Sequence, residues 1–236
     1  MNVSLKRVKA IFMKDYKEFS RNYSISIMLF LPIVFALFYR SDNAEQVFIF
    51  GFLINISLAM LTSFMQACLI AEEREKNTLR SIMMTPASIL DILLGKSILV
   101  FISTALVMVV TIYIFGYMPS NTIVVVFALC MSIILYTAVG TICGLYSKTV
   151  LEASLTIFPV LIIFTAAPFA TLIEDKYPIL KVLQYLPSSQ LSELFLAIET
   201  GLNNSELIGS VVIITVWTVV ITFVSFVLYK KRLTDE

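Results

Sequence analysis

The strongest constraint on this chain is a series of six apolar runs, at 23–39, 46–71, 97–117, 122–146, 153–173 and 207–229. A bilayer's hydrocarbon core of about 30 Å, at 1.5 Å of rise per residue, asks for roughly 20 mostly apolar residues per helix. The first run is short for this purpose and the other five are comfortable. No water is available at that depth, so each run must satisfy its own backbone groups by folding as a helix. Composition agrees, with 59% hydrophobic and only 14% charged residues. A soluble domain carries about 25% charged residues, and this chain has too little polar surface to cover a core in water. The expected fold is an all-α integral membrane protein with six transmembrane helices, residues 1–236 forming a single membrane domain.

Basic residues set the orientation. Six crossings put both termini on one side, and that side holds fourteen of the 17 Lys and Arg residues, at 6–21, 74–96, 148 and 230–232. Only Arg40, Lys176 and Lys181 fall on the other side. The asymmetry places both termini in the cytoplasm of a cell-membrane protein. The acids also fall in loops or at span ends, so the middle of every span lacks Asp, Glu, Lys and Arg. Proton relays, ion-coupled carriers and voltage sensors need charge at mid-depth. Energy must therefore enter from outside the membrane domain.

Other functional classes are excluded in the same way. The chain has no histidine, which removes the commonest metal ligand and general base. No span offers Ser with His or Lys, a buried aspartate pair or a zinc motif, so neither catalysis nor a metal site is expected. Net charge is only +1, which provides no basic field for nucleic acid. Cys68, Cys130 and Cys143 lie inside apolar runs and read as packing thiols. Gly95-Lys96-Ser97 looks like the end of a phosphate-binding loop, but Leu90 stands where its first glycine belongs and the segment enters a span. A cleaved signal peptide is not expected, because more than twenty residues precede the first run and no small-x-small site follows Phe38.

Three segments lie outside the spans. In residues 4–22, Leu5, Val8, Phe12, Tyr16, Phe19 and Tyr23 recur at steps of three and four, edged by lysines. That pattern predicts a helix lying in the membrane interface, with Ser4 as its cap; docking on another protein is the alternative. Residues 174–206 contain Tyr177-Pro178, an apolar run at 179–186, Pro187-Ser188-Ser189 and an amphipathic stretch ending at Gly201. Two short helices dipping into the outer leaflet fit, the second capped by Ser188 or Ser189 and ended by Gly201. Residues 72–96 read EEREKNTLRSIMMTPASILDILLGK. They continue the second span to about Met84 and begin a new helix capped by Thr85, with Pro86 at its first position. This makes either a compact cytoplasmic knob or a solvated loop whose charges stop the span.

Uncharged polar residues form further patterns. Asn55, Thr62 and Gln66 share a face of the second span with Ala59. Asn and Gln are costly against lipid, so these residues face a partner helix or a translocation path. Thr215, Thr218, Thr222 and Ser225 make a similar stripe in the sixth span, and Gly140 and Gly144 are spaced for close helix packing in the fourth. Pro159 and Pro168 should kink or break the fifth.

The 72–96 segment carries a family resemblance. Glu73-Arg74-Glu75, Thr78-Leu79, Thr85-Pro86 and Ile92-Leu93-Leu94-Gly95-Lys96 resemble the signature of ABC type-2 permeases, the export-type membrane subunits of ATP-binding-cassette transporters. Tyr185-Leu186-Pro187 before an amphipathic run also resembles that family's outer re-entrant helices. The resemblance implies that 72–96 is a coupling helix seated on a separate ABC ATPase subunit. Glu73, Arg74, Glu75, Thr78, Leu79 and Arg80 would bear on that subunit, with Thr85-Pro86 closing the turn. It implies a second permease copy, as homo- or heterodimer, and Mg-ATP bound only by the partner, so this chain needs no cofactor. Facing second and fifth spans would line the path, making Asn55, Thr62, Gln66, Thr156 and Thr165 its candidate residues.

The short outer connections leave no room for a receptor domain, which favours export over import. Asn, Thr and Gln among Phe, Ile and Met suit an amphipathic or lipophilic cargo such as a peptide, an antibiotic or drug, or a lipid. The competing reading is a non-transporting membrane scaffold or immunity protein that binds a toxic peptide. The abundance of Ile, Lys and Asn fits a low-GC bacterium.

Overall fold

The computed structural model describes residues 4–22, 26–40, 46–76, 88–172, 177–201 and 204–235. Regular structure among these residues is helical throughout. Helix α1 (Leu5–Arg21) is followed by a 3-10 turn at Ile27–Leu29 and the short helix α2 (Phe30–Tyr39). Helix α3 runs over Gln46–Glu75 with a π-helical stretch at Leu58–Ser63. Helices α4 (Ile89–Phe115) and α5 (Thr122–Tyr146) follow, then the pair α6 (Val150–Thr156) and α7 (Phe158–Ala166). A 3-10 segment at Pro178–Tyr185 leads into α8 (Pro187–Thr200), and α9 (Asn204–Asp235) completes the bundle.

Five stretches are long and apolar enough to cross a membrane: Gln46–Glu75, Ile89–Phe115, Thr122–Tyr146, Val150–Ala170 and Ser205–Arg232. The first expected span appears as Ile27–Tyr39, apolar but shorter. It lies along α4. Leu29 joins the cluster of Phe19, Met65 and Leu99 at one end, while the Arg40 guanidinium sits beside Gly116 at the other.

Local chemistry sets the helix limits. Ser88 and Asp91 form a reciprocal capping box at the start of α4: Ser88 Oγ accepts from Asp91 N at 3.1 Å, and Asp91 Oδ2 accepts from Ser88 N at 2.9 Å. The helix therefore starts three residues beyond the expected cap, Thr85, which itself lies outside the described residues. Gly116 and Gly201 end α4 and α8 in the left-handed region, at φ of 83° and 65°. Neither Ser188 nor Ser189 caps α8. Pro187 occupies its first position, where a missing N–H costs nothing, and Ser189 Oγ turns back to donate to Leu183 O at 2.8 Å. The fifth span is interrupted at Ile157, two residues before Pro159, and tightens to 3-10 geometry around Pro168.

Helix α3 is the hub, in contact with α2, α4, α5, α6, α7 and α8. Its tightest neighbour is α5. A Cβ on Gly140 would fall 2.4 Å from Ser63 O, and one on Gly144 would fall 2.7 Å from Ala67 O. With no hydrophobic drive between helices in lipid, this backbone approach is what the glycines supply. Ser63 Oγ donates across the same seam to Tyr136 O at 3.0 Å. At the far end of α3, Phe50 meets Phe115, Tyr117 and Phe195 with ring centroids 5.7, 4.9 and 5.0 Å apart. We expect Gly140→Ala to cost about 1–3 kcal/mol through overpacking, read as a lowered unfolding temperature in detergent. Gly209→Ala, whose Cβ would meet nothing within 4 Å, should not lower it.

Candidate functional site

The site begins with the way α1 lies on the bundle. Its buried residues are Val8, Asp15 and Phe19, while Leu5 and Tyr16 are 82% and 50% exposed. The packed face thus follows Val8, Phe12, Asp15 and Phe19, rotated from the expected stripe and carrying an acid at its centre. It lies against α4 at Gly95, where a Cβ would come within 2.7 Å of Ile11 Cγ2 and 3.2 Å of Val8 O. The glycine lets the two helices touch, and the next residue, Lys96, reaches beneath α1.

Lys96 is fully buried, with its Nζ 3.0 Å from Asp15 Oδ2 and 2.9 Å from Glu73 Oε1. It also donates to Leu69 O at 3.3 Å. Lys14 Nζ stands 3.1 Å from the same Glu73 oxygen, 3.6 Å from Asp15 Oδ1 and 3.7 Å from Glu18 Oε2. Asp15 and Glu73 are buried as well. One junction thereby joins α1, the end of α3 and the start of α4 through two carboxylates and two ammonium groups. Buried charges persist only when paired and hydrogen-bonded. Burial is the largest single influence on Lys14 and lowers its pKa, but Glu73, Asp15 and Glu18 together outweigh it and hold the group above 10.5. A raised pKa stabilises the fold fully below the unfolded value, and that contribution fades as pH rises through the folded one.

A second tether secures the start of α1. Ser4 N donates to Asp91 Oδ1 at 2.9 Å, and Arg7 Nη1 lies 3.6 Å from Asp91 Oδ2. Asp91 therefore closes the capping box of α4 and holds α1 with the same carboxylate.

The Glu73-Arg74-Glu75 triplet sends each side chain to a different element. Glu73 points inward to the ion cluster. Arg74 Nη1 donates to Leu145 O and Ser147 O, at 3.2 and 3.1 Å, covering the carbonyl end of α5. Glu75 Oε2 accepts from Val150 N at 2.8 Å, where α6 begins. Glu72 and Lys76 pair along the helix itself. Thr78, Leu79, Arg80, Thr85 and Pro86 lie outside the described residues.

The candidate path residues fall into two groups. Asn55, Thr62 and Gln66 are fully buried within the chain. Asn55 Nδ2 donates to Gly51 O, Ser188 O and Ser192 Oγ, pinning α8 to α3. Thr62 Oγ1 donates to Thr104 Oγ1 at 3.2 Å and Gln66 Nε2 to Thr141 Oγ1 at 2.9 Å, so these two face α4 and α5. Thr156 and Thr165 are half-buried on the fifth span, and each hydroxyl donates back to a carbonyl of its own segment.

Sequence reasoning missed Lys14, Asp15, Asp91 and Lys96 as a structural set. Asp15 had a legible signal: it sits three residues from Phe12 and four from Phe19, on the apolar stripe. Asp91 had one too, three residues after Ser88. Among the described residues no cluster of metal-ligating groups occurs. The arrangement ties α1, α3 and α4 together where the three helices meet.

Lys96→Met should cost about 3–5 kcal/mol, because it leaves buried carboxylates without their main partner. In Asp15→Asn/Lys96→Met the losses should sum to less than the two singles. Thermal unfolding of the four proteins in detergent checks this, and strict additivity would refute the coupling.

A family model described as ABC-2 family transporter protein matches residues 10–227. No curated protein gives a match.

Proposed function

The chain belongs to the ABC-2 family of transporter proteins and is a membrane-spanning permease subunit of an ABC transporter; on that premise we propose that it is an exporter whose motion is driven by ATP hydrolysed in a separate subunit. The observation that carries this reading is the buried ion joint beneath the end of α3. Residues 72–96 leave the membrane from this joint, so a force applied there reaches α1, α3 and α4 together rather than bending one helix. Rigid-body tilting is the response such a junction favours.

In this reading the triplet divides its work. Glu73 and Arg74 brace the coupling region from behind, while Glu75 and Lys76, both exposed, face the ATPase along with Thr78, Leu79, Arg80, Thr85 and Pro86. Mg-ATP is held by the partner and this chain contributes no catalytic group. Helix α2 makes a sixth, short crossing, supported by its run along α4 from Leu29 to Arg40, and both termini then lie in the cytoplasm. A second permease copy packs near α7, where Phe158, Ile162 and Ile163 are exposed. The path between the copies is lined by the fifth span, with Thr156 and Thr165 its polar points. Asn55, Thr62 and Gln66 keep the walls of that path rigid.

The test is made on the permease purified with its ATPase and placed in liposomes. Glu73→Gln should lower ATP hydrolysis by the complex at least tenfold below the wild-type complex while the ATPase still co-purifies. Replacing Thr78, Leu79 and Arg80 together by Ala should instead release the ATPase. Wild-type hydrolysis and retention in both variants would defeat the proposal, as would cargo movement without any nucleotide-hydrolysing partner.

A further inference from the structure

Helices α4 and α9 both pack on α5, and a cleft of about 190 Å³ is left between them. Leu93, Phe101, Ile134 and Phe226 give it an apolar lining, and among the described residues no charged group enters it. Leu94 and Ile134 are exposed at its mouth, so it opens to lipid. Three hydroxyls also line it, Ser97 from α4 and Thr222 and Ser225 from the stripe on α9. Inside a helix such a hydroxyl can donate to the carbonyl four residues back. Thr137, Thr215 and Thr218 do so. Ser97, Thr222 and Ser225 have no hydrogen-bond partner among the described residues. At membrane depth an unmade hydrogen bond is costly.

Depth identifies what can reach these donors. Helix α4 has 27 residues, which is about 40 Å and matches a bilayer with its headgroups. Ser97 lies eight residues from the start of α4, Thr141 five from the end of α5, and Ser225 seven from Arg232. At 1.5 Å per residue these positions are about 12, 8 and 11 Å from the end of the bundle that holds the ion joint. The headgroup layer takes up about 5–7 Å there, so the cleft begins just inside the hydrocarbon border. Phospholipid ester carbonyls lie at that level, as uncharged acceptors at the top of an apolar chain.

We propose that the cleft seats one ester-linked acyl chain of a bilayer phospholipid, held as a fixed lipid between α4 and α9. Ser97, Thr222 and Ser225 supply the donors for the ester carbonyl, and the chain runs inward over Phe101 and Ile134. The uncharged lining selects the linkage and sets no requirement on the headgroup. Thr141, on the cleft floor, accepts from Gln66 Nε2 at 2.9 Å, which places the seated chain next to a residue bonded to α3. The site depends on neither the ATPase nor the cargo.

The full chain, delipidated in detergent, is titrated with an ester-linked phosphatidylcholine and with the ether-linked lipid of the same chains, which lacks both carbonyls. Native mass spectrometry reads the affinity of the first lipid retained. The ester lipid should bind at least fivefold more tightly than the ether lipid. In Ser97→Ala/Ser225→Ala its affinity should fall to that of the ether lipid, whose own binding stays unchanged. Thr222→Val keeps the volume at an exposed position and should reduce the preference in the same direction, which guards against misfolding of the pair. Ser103→Ala, on α4 outside the cleft, should keep the full preference. Ala138→Phe, which fills the cleft, should lose the first tight lipid of either linkage. Equal wild-type affinity for the two linkages, or an ester preference that survives in both hydroxyl variants, would overturn the proposal.

Discussion

Lys96 sits where an ammonium group would ordinarily be too costly, fully buried at the border of the membrane domain. It is held there by Asp15 and Glu73 at about salt-bridge distance, 3.0 and 2.9 Å. Desolvating these groups is expensive and their attraction offsets the cost only in good geometry. The value of such a cluster is therefore specificity of arrangement. It fixes the rotation of α1, the exit angle of α3 and the entry of α4 at once. The rest of the molecule inherits its geometry from that junction, because α3 then runs through the centre of the bundle.

Along α3 the interactions change character with depth. At the ion joint they are charged. In the middle they are backbone contacts, with Ser63 O and Ala67 O against Gly140 and Gly144, supported by the hydroxyl and amide bonds of Thr62, Ser63 and Gln66. At the far end they become aromatic, around Phe50. A π-helical stretch at Leu58–Ser63 falls in the middle zone, widening the helix where it meets α4 and α5. A rod clamped by charge at one end and packed by aromatics at the other passes displacement along its length with little bending.

The fifth span is built in the opposite way. Two prolines divide it, and Leu155, Phe158, Ile162 and Ile163 are exposed along it. Much of its surface is therefore left uncovered by the rest of the chain. Between the rigid hub and this broken span, Asn55 ties α8 to α3 through Ser188 and Ser192.

Much of this was legible from the residues in order. Apolar run length and the exclusion of charge from mid-span establish a helical membrane protein, because lipid offers backbone groups no other partner. Gly201 announced the end of α8, and Pro159 and Pro168 announced the breaks in the fifth span, since both effects are local to the backbone. The 72–96 motif pointed to the family. What the linear order could not supply was which partners its polar residues choose. Asn55, Thr62 and Gln66 read equally as wall or as packing until α8, α4 and α5 were placed around them. Glu73 reads as a surface acid until α1 and α4 bring Lys14 and Lys96 to it from 59 and 23 positions away in the chain. Spacing determines which face a residue occupies, but only the tertiary structure decides what that face meets, because the energy of a buried charge depends on its three-dimensional neighbours.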